Sequence, residues 1–100
     1  MNLDLDHLES FLVLSEELHF GRAAQRLHMS QSGISRQIKL LEHSLGVPLV
    51  VRTTRRVHLT EAGGILAAKS GRLLKDINEL KQLLSLAVPQ PPTDRSATAS

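Results

Sequence analysis

The feature that most constrains the fold of this chain is a long apolar repeat in its last third. Its members follow one another at intervals of seven, four, three, four and three residues: Leu66, Leu73, Ile77, Leu80, Leu84 and Ala87. Such a/d heptad spacing is typical of a helix that packs against a second helix along one stripe. With Thr60 as N-cap, the sequence predicts a helix from about Glu61 to Ala87, about 40 Å long.

A helix of this length predicts a dimer, because a domain built from 100 residues cannot cover it. Gly63 and Ser70 fill weaker early positions of the stripe. The alternative, packing of the helix on its own domain, could occupy only its first turns. We therefore expect a homodimer through the exposed stripe. The interface residues expected are Leu66, Leu73, Ile77, Leu80 and Leu84.

Three shorter helical segments precede this stripe. The first runs from Asp4 to Leu18, with Asp4 or Asp6 as N-cap, and its apolar stripe comprises Leu8, Phe11, Leu12 and Leu18. His19-Phe20-Gly21 is expected to break it. A second helix follows over residues 22–28, with a small inner face of Ala23, Ala24 and Leu27.

A tight turn at residues 29–32 leads to a third helix, which Ser30 can cap and which ends near Leu45, before Gly46 and Pro48. Its apolar residues lie within about 60° of one another on a helical wheel. They are Ile34, Ile38, Leu41 and Leu45. The opposite side, between about 100° and 200°, is polar and cationic. It carries Ser32, Ser35, Arg36, Lys39 and His43.

Two short helices joined by a tight turn, the second with such an outer face, predict a helix-turn-helix unit. An ordinary three-helix bundle would have a similar interior. It would not require hydrogen-bonding and guanidinium groups clustered at the start of the third helix.

The sequence period changes after Pro48, where β-branched residues become frequent. Val57 and Leu59 alternate with Arg56 and His58, which predicts a short hairpin over residues 49–59 with one apolar face. Its arginine-rich tip lacks the Gly or Asn of two-residue turns, so we expect a longer loop. A hairpin in this place is a wing, and its guanidiniums suit phosphates or a narrow minor groove.

Charge is distributed unevenly, although the net charge is only +2. Residues 1–19 hold five carboxylates and no Lys or Arg, whereas residues 20–60 hold seven cations and only Glu42 as an anion. A concentrated cationic segment is typical of a surface that meets phosphate, although a solvated face can carry the same charges.

Several classes of protein are excluded. The chain has no Cys, so it has neither disulfides nor thiolate metal sites, and no apolar run approaches the roughly 18 residues of a membrane span. The acidic N-terminal end does not resemble a signal peptide, so we expect a cytoplasmic protein with no membrane partner. Enzyme motifs and i,i+4 histidine pairs are absent, so no catalytic residue, no metal and no enzymatic activity are predicted.

A series of spaced motifs resembles the N-terminal DNA-binding region of LysR-type transcriptional regulators. The resemblance covers about residues 3–88. Its motifs are Phe20-Gly-Arg-Ala-Ala-Gln-Arg-Leu27, Ser30-Gln-Ser-Gly-Ile-Ser-Arg-Gln-Ile38, Leu41-Glu42, Leu45-Gly46 and Val57-His-Leu-Thr-Glu-Ala-Gly63. It implies a mainly α winged helix-turn-helix, followed by a linker helix that forms an antiparallel coiled-coil dimer.

The resemblance also divides the chain. Residues 1–60 would form the DNA-binding domain, 61–88 the linker and dimerisation helix, and 89–100 a Pro-rich hinge or tail. A larger C-terminal effector-binding domain normally follows, so the chain is most simply a fragment cut at the hinge. The fragment would need no cofactor, because the small-molecule effector would bind the missing domain, and the full-length protein would form a tetramer.

The residues expected to contact DNA fall into two groups. On the third helix, the recognition helix, they are Ser30, Gln31, Ser32, Ser35, Arg36 and Lys39. On the wing and at the DNA backbone they are Arg22, Arg52, Thr53, Thr54, Arg55 and Arg56. The chain departs from many members at Ser32-Gly33, where Pro-Ala or Pro-Pro is common, at Val50-Val51, where Phe-Glu is common, and at Thr54, where Gly is common.

Two functions follow from these observations. The first is sequence-specific binding of double-stranded DNA by a dimer that reads an inverted repeat, with the recognition helix in the major groove. Gln31 and Arg36 would read base edges, and the wing arginines would contact phosphates or the minor groove. The second is a coiled-coil interaction module whose basic face is incidental.

Overall fold

The computed structural model describes residues 2–53 and 56–87. The elements in chain order are α1 (Leu5–Glu17), α2 (Phe20–Leu27), α3 (Gln31–Leu45), β1 (Val50–Arg52), β2 (Val57–Leu59) and α4 (Glu61–Ala87). The predicted mainly α class, with three helices, a two-stranded hairpin and a long final helix, is confirmed. The predictions for Thr54, Arg55 and residues 88–100 lie outside the described residues.

Helix α1 begins after Asp4, whose carboxylate accepts hydrogen bonds from the backbone N–H of Asp6 at 2.9 Å and of His7 at 3.2 Å. Asp4 is therefore the N-cap, and Asp6 lies in the first turn. At the other end, Leu18 takes the left-handed conformation, with φ 50°, and is 45% exposed. The placement of Leu18 on the apolar stripe, which would bury it, was wrong, because the reversal at the helix end turns its side chain away from the stripe. Leu14, one turn earlier in α1, is buried instead.

Helix α2 starts two residues earlier than predicted. The Nδ1 atom of His19 accepts a hydrogen bond from the backbone N–H of Arg22 at 3.0 Å and so caps the helix. Phe20, expected in a break, is the first helical residue and is only 5% exposed. An imidazole is not among the usual capping groups, so the sequence did not indicate this start. His28, with φ 55°, ends the helix.

Helix α3 has the predicted limits. Ser30 caps its start by accepting a hydrogen bond from the backbone N–H of Gly33 at 3.0 Å, and Gly46, with φ 72°, ends it. Its inner face is buried against α1 and α2, as expected for Ile34, Ile38 and Leu41. On the α1 side, Ser10 donates a hydrogen bond to the Oε1 atom of Gln37 at 2.5 Å.

The hairpin pairs β1 with β2 in antiparallel register, Val50 opposite Leu59 and Arg52 opposite Val57. The strands are joined through Thr53 and Arg56, and the prediction of a loop longer than a two-residue turn falls on Thr54 and Arg55, outside the described residues. Thr60 links the hairpin to α4: its hydroxyl donates to the carbonyl of Pro48 at 2.7 Å and accepts from the backbone N–H of Gly63 at 3.0 Å. The predicted N-cap of α4 is therefore confirmed.

The two halves of α4 have different surroundings. In the first half, Gly63 and Ser70 are buried, and Leu66 and Ala67 pack against the core of the same chain. In the second half, Leu80 and Leu84 are each 54% exposed. Within residues 2–53 and 56–87, no helix has the length and apolar content needed to cross a membrane.

The stripe predicted for dimerisation therefore has two kinds of members. Leu66 is half-buried against its own core, which leaves less of it available to a partner. Ile77 is also half-buried, whereas Leu73 is 49% exposed, close to the value for Leu80 and Leu84. Along the stripe, the free apolar surface therefore begins at about Leu73.

Candidate nucleic-acid interface

The start of α3 presents a polar surface to solvent. Ser32, Arg36 and Lys39 are exposed, as the helical wheel predicts, whereas Ser35 is half-buried; Gln31, at the start of the helix, is also exposed. In the part of the chain that the structure describes, no ion pair or side-chain hydrogen bond engages Gln31, Arg36 or Lys39. These donors are therefore available for an external ligand.

The two serines before and within the first turn are partly engaged. Ser30 Oγ caps the helix and lies 3.3 Å from Ser32 Oγ, so the two hydroxyls form one hydrogen bond. Ser30 thus fixes the helix start, which determines the direction in which the following side chains point. Ser32 is exposed at the same end.

The wing is closed by a local hydrogen-bond network. The backbone N–H of Thr53 donates to the carbonyl of Arg56 at 2.9 Å, and the backbone N–H of Arg56 donates back to the Thr53 hydroxyl at 3.0 Å. The Thr53 hydroxyl therefore helps to form the turn, and the Arg56 residue is exposed beside it.

Arg52 connects the wing with the helix-turn-helix unit. Its guanidinium lies 4.0 Å from the centroid of the Phe20 ring and donates a hydrogen bond to Ser35 Oγ at 3.1 Å. A cleft between α3 and the wing is lined in part by Phe20, Gln31, Arg52 and Arg56. The fold thus brings the wing cations next to the first turn of the recognition helix.

The arginines of α2 are balanced by carboxylates of α1. Arg22, whose side chain is 62% exposed, lies 3.5 Å from Glu17. Arg26, which the sequence did not single out, donates to Glu16 at 2.8 Å and to Glu17 at 3.1 Å. These hydrogen bonds, that to Glu16 above all, raise the pKa of the Arg26 guanidinium. The acidic end of α1 therefore offsets part of the positive charge on α2.

Glu42 is the positioning residue that sequence reasoning missed. Its carboxylate accepts hydrogen bonds from the backbone N–H of Leu49 at 2.7 Å and of Val50 at 3.3 Å. These contacts fix the first residues of the wing to α3. The sequence carries one signal that could have drawn attention to Glu42, because it is the only carboxylate within the cationic segment 20–60.

No group of three or more His, Asp or Glu side chains that could hold a metal ion occurs among residues 2–53 and 56–87. The exposed side chains of Gln31, Arg36, Lys39 and Arg56 offer hydrogen-bond donation and positive charge. Phosphates and base edges are ligands of that kind.

Comparison with known proteins identifies the same region. Residues 5–64 match the family described as "Bacterial regulatory helix-turn-helix protein, lysR family". The chain is 53% identical over 77 residues to the HTH-type transcriptional regulator XapR of Escherichia coli (strain K12), a match that covers 77% of this chain and 26% of XapR. The chain thus spans about a quarter of the length of the curated relatives that it matches.

Solved structures agree with the sequence match. The CbnR_DBD-DNA complex superposes with a TM-score of 0.81 at 33% identity, covering 85% of this chain and 98% of that one. Vibrio fischeri DarR in complex with DNA gives a TM-score of 0.79 at 33% identity, covering 85% of this chain and 29% of that one. This chain belongs to the lysR family of bacterial regulatory helix-turn-helix proteins.

Proposed function

We propose that this chain is the DNA-binding part of a transcriptional regulator, and that it binds double-stranded DNA with α3 in the major groove. The observation that carries the proposal is the set of unengaged donors on the first two turns of α3, beside the wing cations. Related proteins of the same fold were solved with DNA, which supports the same assignment.

The side chains have different roles in this proposal. Gln31 and Arg36 make bidentate contacts with base edges, Arg36 most naturally with guanine. Ser32 and Ser35 contact bases or phosphates, and Lys39 contacts phosphate. Arg22, Arg56 and, at the wing tip, Thr54 and Arg55 add backbone or minor-groove contacts that raise the affinity for every sequence.

The proposed active form is a dimer that reads an inverted repeat. Leu73, Ile77, Leu80 and Leu84 of one α4 pair with those of a second chain, antiparallel, while residues 1–60 act as the DNA-binding domain. The exposure of Leu80 and Leu84 supports this pairing, because water contact with them is unfavourable.

The whole regulator is expected to contain an effector-binding domain beyond the hinge, to act in the cytoplasm and to regulate transcription without enzymatic activity. The relatives that the chain matches are transcriptional regulators about three times as long, which supports this view. Assembly of the whole regulator as a tetramer belongs to the same proposal.

The test is selection of binding sites from random duplexes, followed by titration at several salt concentrations. Arg36→Ala is expected to flatten the preference among selected sequences, at a cost of about 1–3 kcal/mol for the best site. The control is Arg56→Ala, which removes a cation of the wing. It should weaken all duplexes alike and reduce the salt slope by about one unit per lost phosphate contact.

Equal weakening of selected and scrambled duplexes by Arg36→Ala would contradict base reading by this residue. The absence of binding to any duplex at low salt would instead favour the second candidate, a coiled-coil interaction module. The exposed apolar part of α4 is the observation that favours this second candidate.

A further inference from the structure

Three elements meet at the Arg52 guanidinium. Arg52 is the last residue of β1, Phe20 is the first residue of α2, and Ser35 belongs to α3. Phe20 is 5% exposed, so the ring is held by the core and provides a fixed platform. The guanidinium lies 4.0 Å from the ring centroid and 3.1 Å from Ser35 Oγ.

This geometry restricts what the Ser35 hydroxyl can do. A serine hydroxyl has one O–H donor and two acceptor lone pairs, whereas a guanidinium has donors alone. Arg52 therefore occupies one lone pair of Ser35 Oγ, and its positive charge polarises the hydroxyl. The proton of Ser35 is left to point toward another acceptor, and acceptance of a second hydrogen bond becomes less favourable.

We infer that Arg52 is a positioning residue that makes Ser35 a hydrogen-bond donor toward DNA. The inference rests on the proposed function and changes the role expected of Arg52, which the sequence assigned to the DNA backbone. As a donor, Ser35 favours acceptor atoms of the major groove, such as purine N7, guanine O6 and thymine O4. It disfavours the amino group of cytosine, which is itself a donor.

The same contacts distinguish Arg52 from Arg56, the other wing arginine that the structure describes. The Phe20 ring and Ser35 together hold the Arg52 guanidinium in place, so one of its faces and one of its N–H donors are already engaged. Lysine cannot replace it, because an ammonium lacks the planar group that stacks on a ring while donating in its own plane. The exposed Arg56 residue lacks the ring contact that Arg52 makes.

Duplex selection with Arg52→Gln, Ser35→Ala and the double variant tests the inference. Both single variants should lose preference at the same base-pair position, by roughly 3- to 10-fold as for one hydrogen bond. The double variant should lose no more than the stronger single variant, because the two residues act as a unit. Arg52→Lys should lose the same preference although it keeps the charge.

The salt dependence of DNA binding distinguishes a positioning role of Arg52 from a phosphate contact. The slope of log affinity against log salt should be unchanged in Arg52→Gln, whereas in the control Arg56→Gln it should fall by about one unit. A fall of one unit in Arg52→Gln, with losses that add to those of Ser35→Ala, would overturn the inference and leave DNA binding intact. Failure of the wild-type chain to bind any duplex would overturn the proposed function itself.

The free protein offers a second measurement that does not involve DNA. Protons of the Arg52 side chain above the Phe20 ring should show upfield ring-current shifts in the NMR spectrum, and Phe20→Leu should abolish them. Phe20→Leu keeps a large apolar side chain in the core, so the fold can be checked by circular dichroism. Unshifted Arg52 protons in the folded wild-type chain would refute the contact.

Discussion

The Glu42 carboxylate accepts a hydrogen bond from the backbone N–H of Leu49 at 2.7 Å, which joins the recognition helix to the start of the wing. The same oxygen accepts from Val50 at 3.3 Å. One carboxylate thus satisfies two backbone donors at the point where the chain leaves the helix-turn-helix unit. The position of the wing depends on a side chain of α3 as well as on strand pairing.

Removal of this carboxylate should destabilise the domain. In Glu42→Ala, the Leu49 N–H is left without its acceptor in a half-buried place, so we expect the free energy of unfolding to fall by about 1–3 kcal/mol. Urea denaturation measures the change. Glu42→Gln keeps an acceptor oxygen of the same reach and should lose less. Two variants as stable as the wild type would show that water replaces the carboxylate without cost.

Two neighbouring glycines should respond oppositely to alanine. A Cβ at Gly63 would overlap the carbonyl oxygen of Leu49, so Gly63→Ala should cost about 1–3 kcal/mol of stability. Gly64 has nothing within 4 Å of the corresponding position, and Gly64→Ala should raise stability by up to about 1 kcal/mol through helix propensity. Thermal unfolding of both variants tests the pair. A stable Gly63→Ala protein would disprove the close approach of α4 to Leu49.

Dimerisation should depend on the exposed half of the apolar stripe. Leu80→Asn places a polar side chain in the proposed interface of both chains, and we expect the dimer dissociation constant to rise about tenfold or more. Analytical ultracentrifugation measures it. Leu86→Asn is the matched control, since Leu86 is 84% exposed and lies off the stripe. Equal effects of the two changes would contradict an interface along this stripe.

The left-handed residue that ends α2 should prefer glycine. His28 has φ 55° and is exposed, so His28→Gly relieves an unfavourable backbone conformation and removes little packing. We expect the free energy of unfolding to rise by about 0.5 kcal/mol. The same change at His43, within α3, should lower it by a similar amount, about 0.5 kcal/mol. A shift of the same sign at both positions in thermal unfolding would count against this account.

Helix α3 and helix α4 were predictable because their signals are local. A serine cap, a terminal glycine and an apolar stripe lie within a single segment, and each acts through its neighbours in sequence. Prediction failed at Leu18 and Phe20 for another reason. A capping imidazole and a left-handed leucine are also local features, but they are exceptions to residue preferences, so no such preference indicates them.

The residues of the candidate site also differ in how far the sequence alone predicts their role. The outward direction of Arg36 follows from helix periodicity, so the sequence alone indicates it. The partners of Arg52 do not follow from periodicity, because Phe20 and Ser35 lie on two other elements. Similarly, the contact of Glu42 with Leu49 depends on how the chain turns after Gly46.

The sequence by itself therefore determined the helices, the hairpin, the family and the polar face of α3. Periodicity, caps and spaced motifs can all be read within continuous segments of the chain. Tertiary structure alone decided which cations are engaged and which remain available. Arg52 lies on Phe20 and Arg26 pairs with Glu16, while Arg36 stays open to solvent. The net charge can be summed from the sequence. Whether a cation is available to bind a ligand depends on the distance to its nearest partner, and the packing of the folded chain sets that distance.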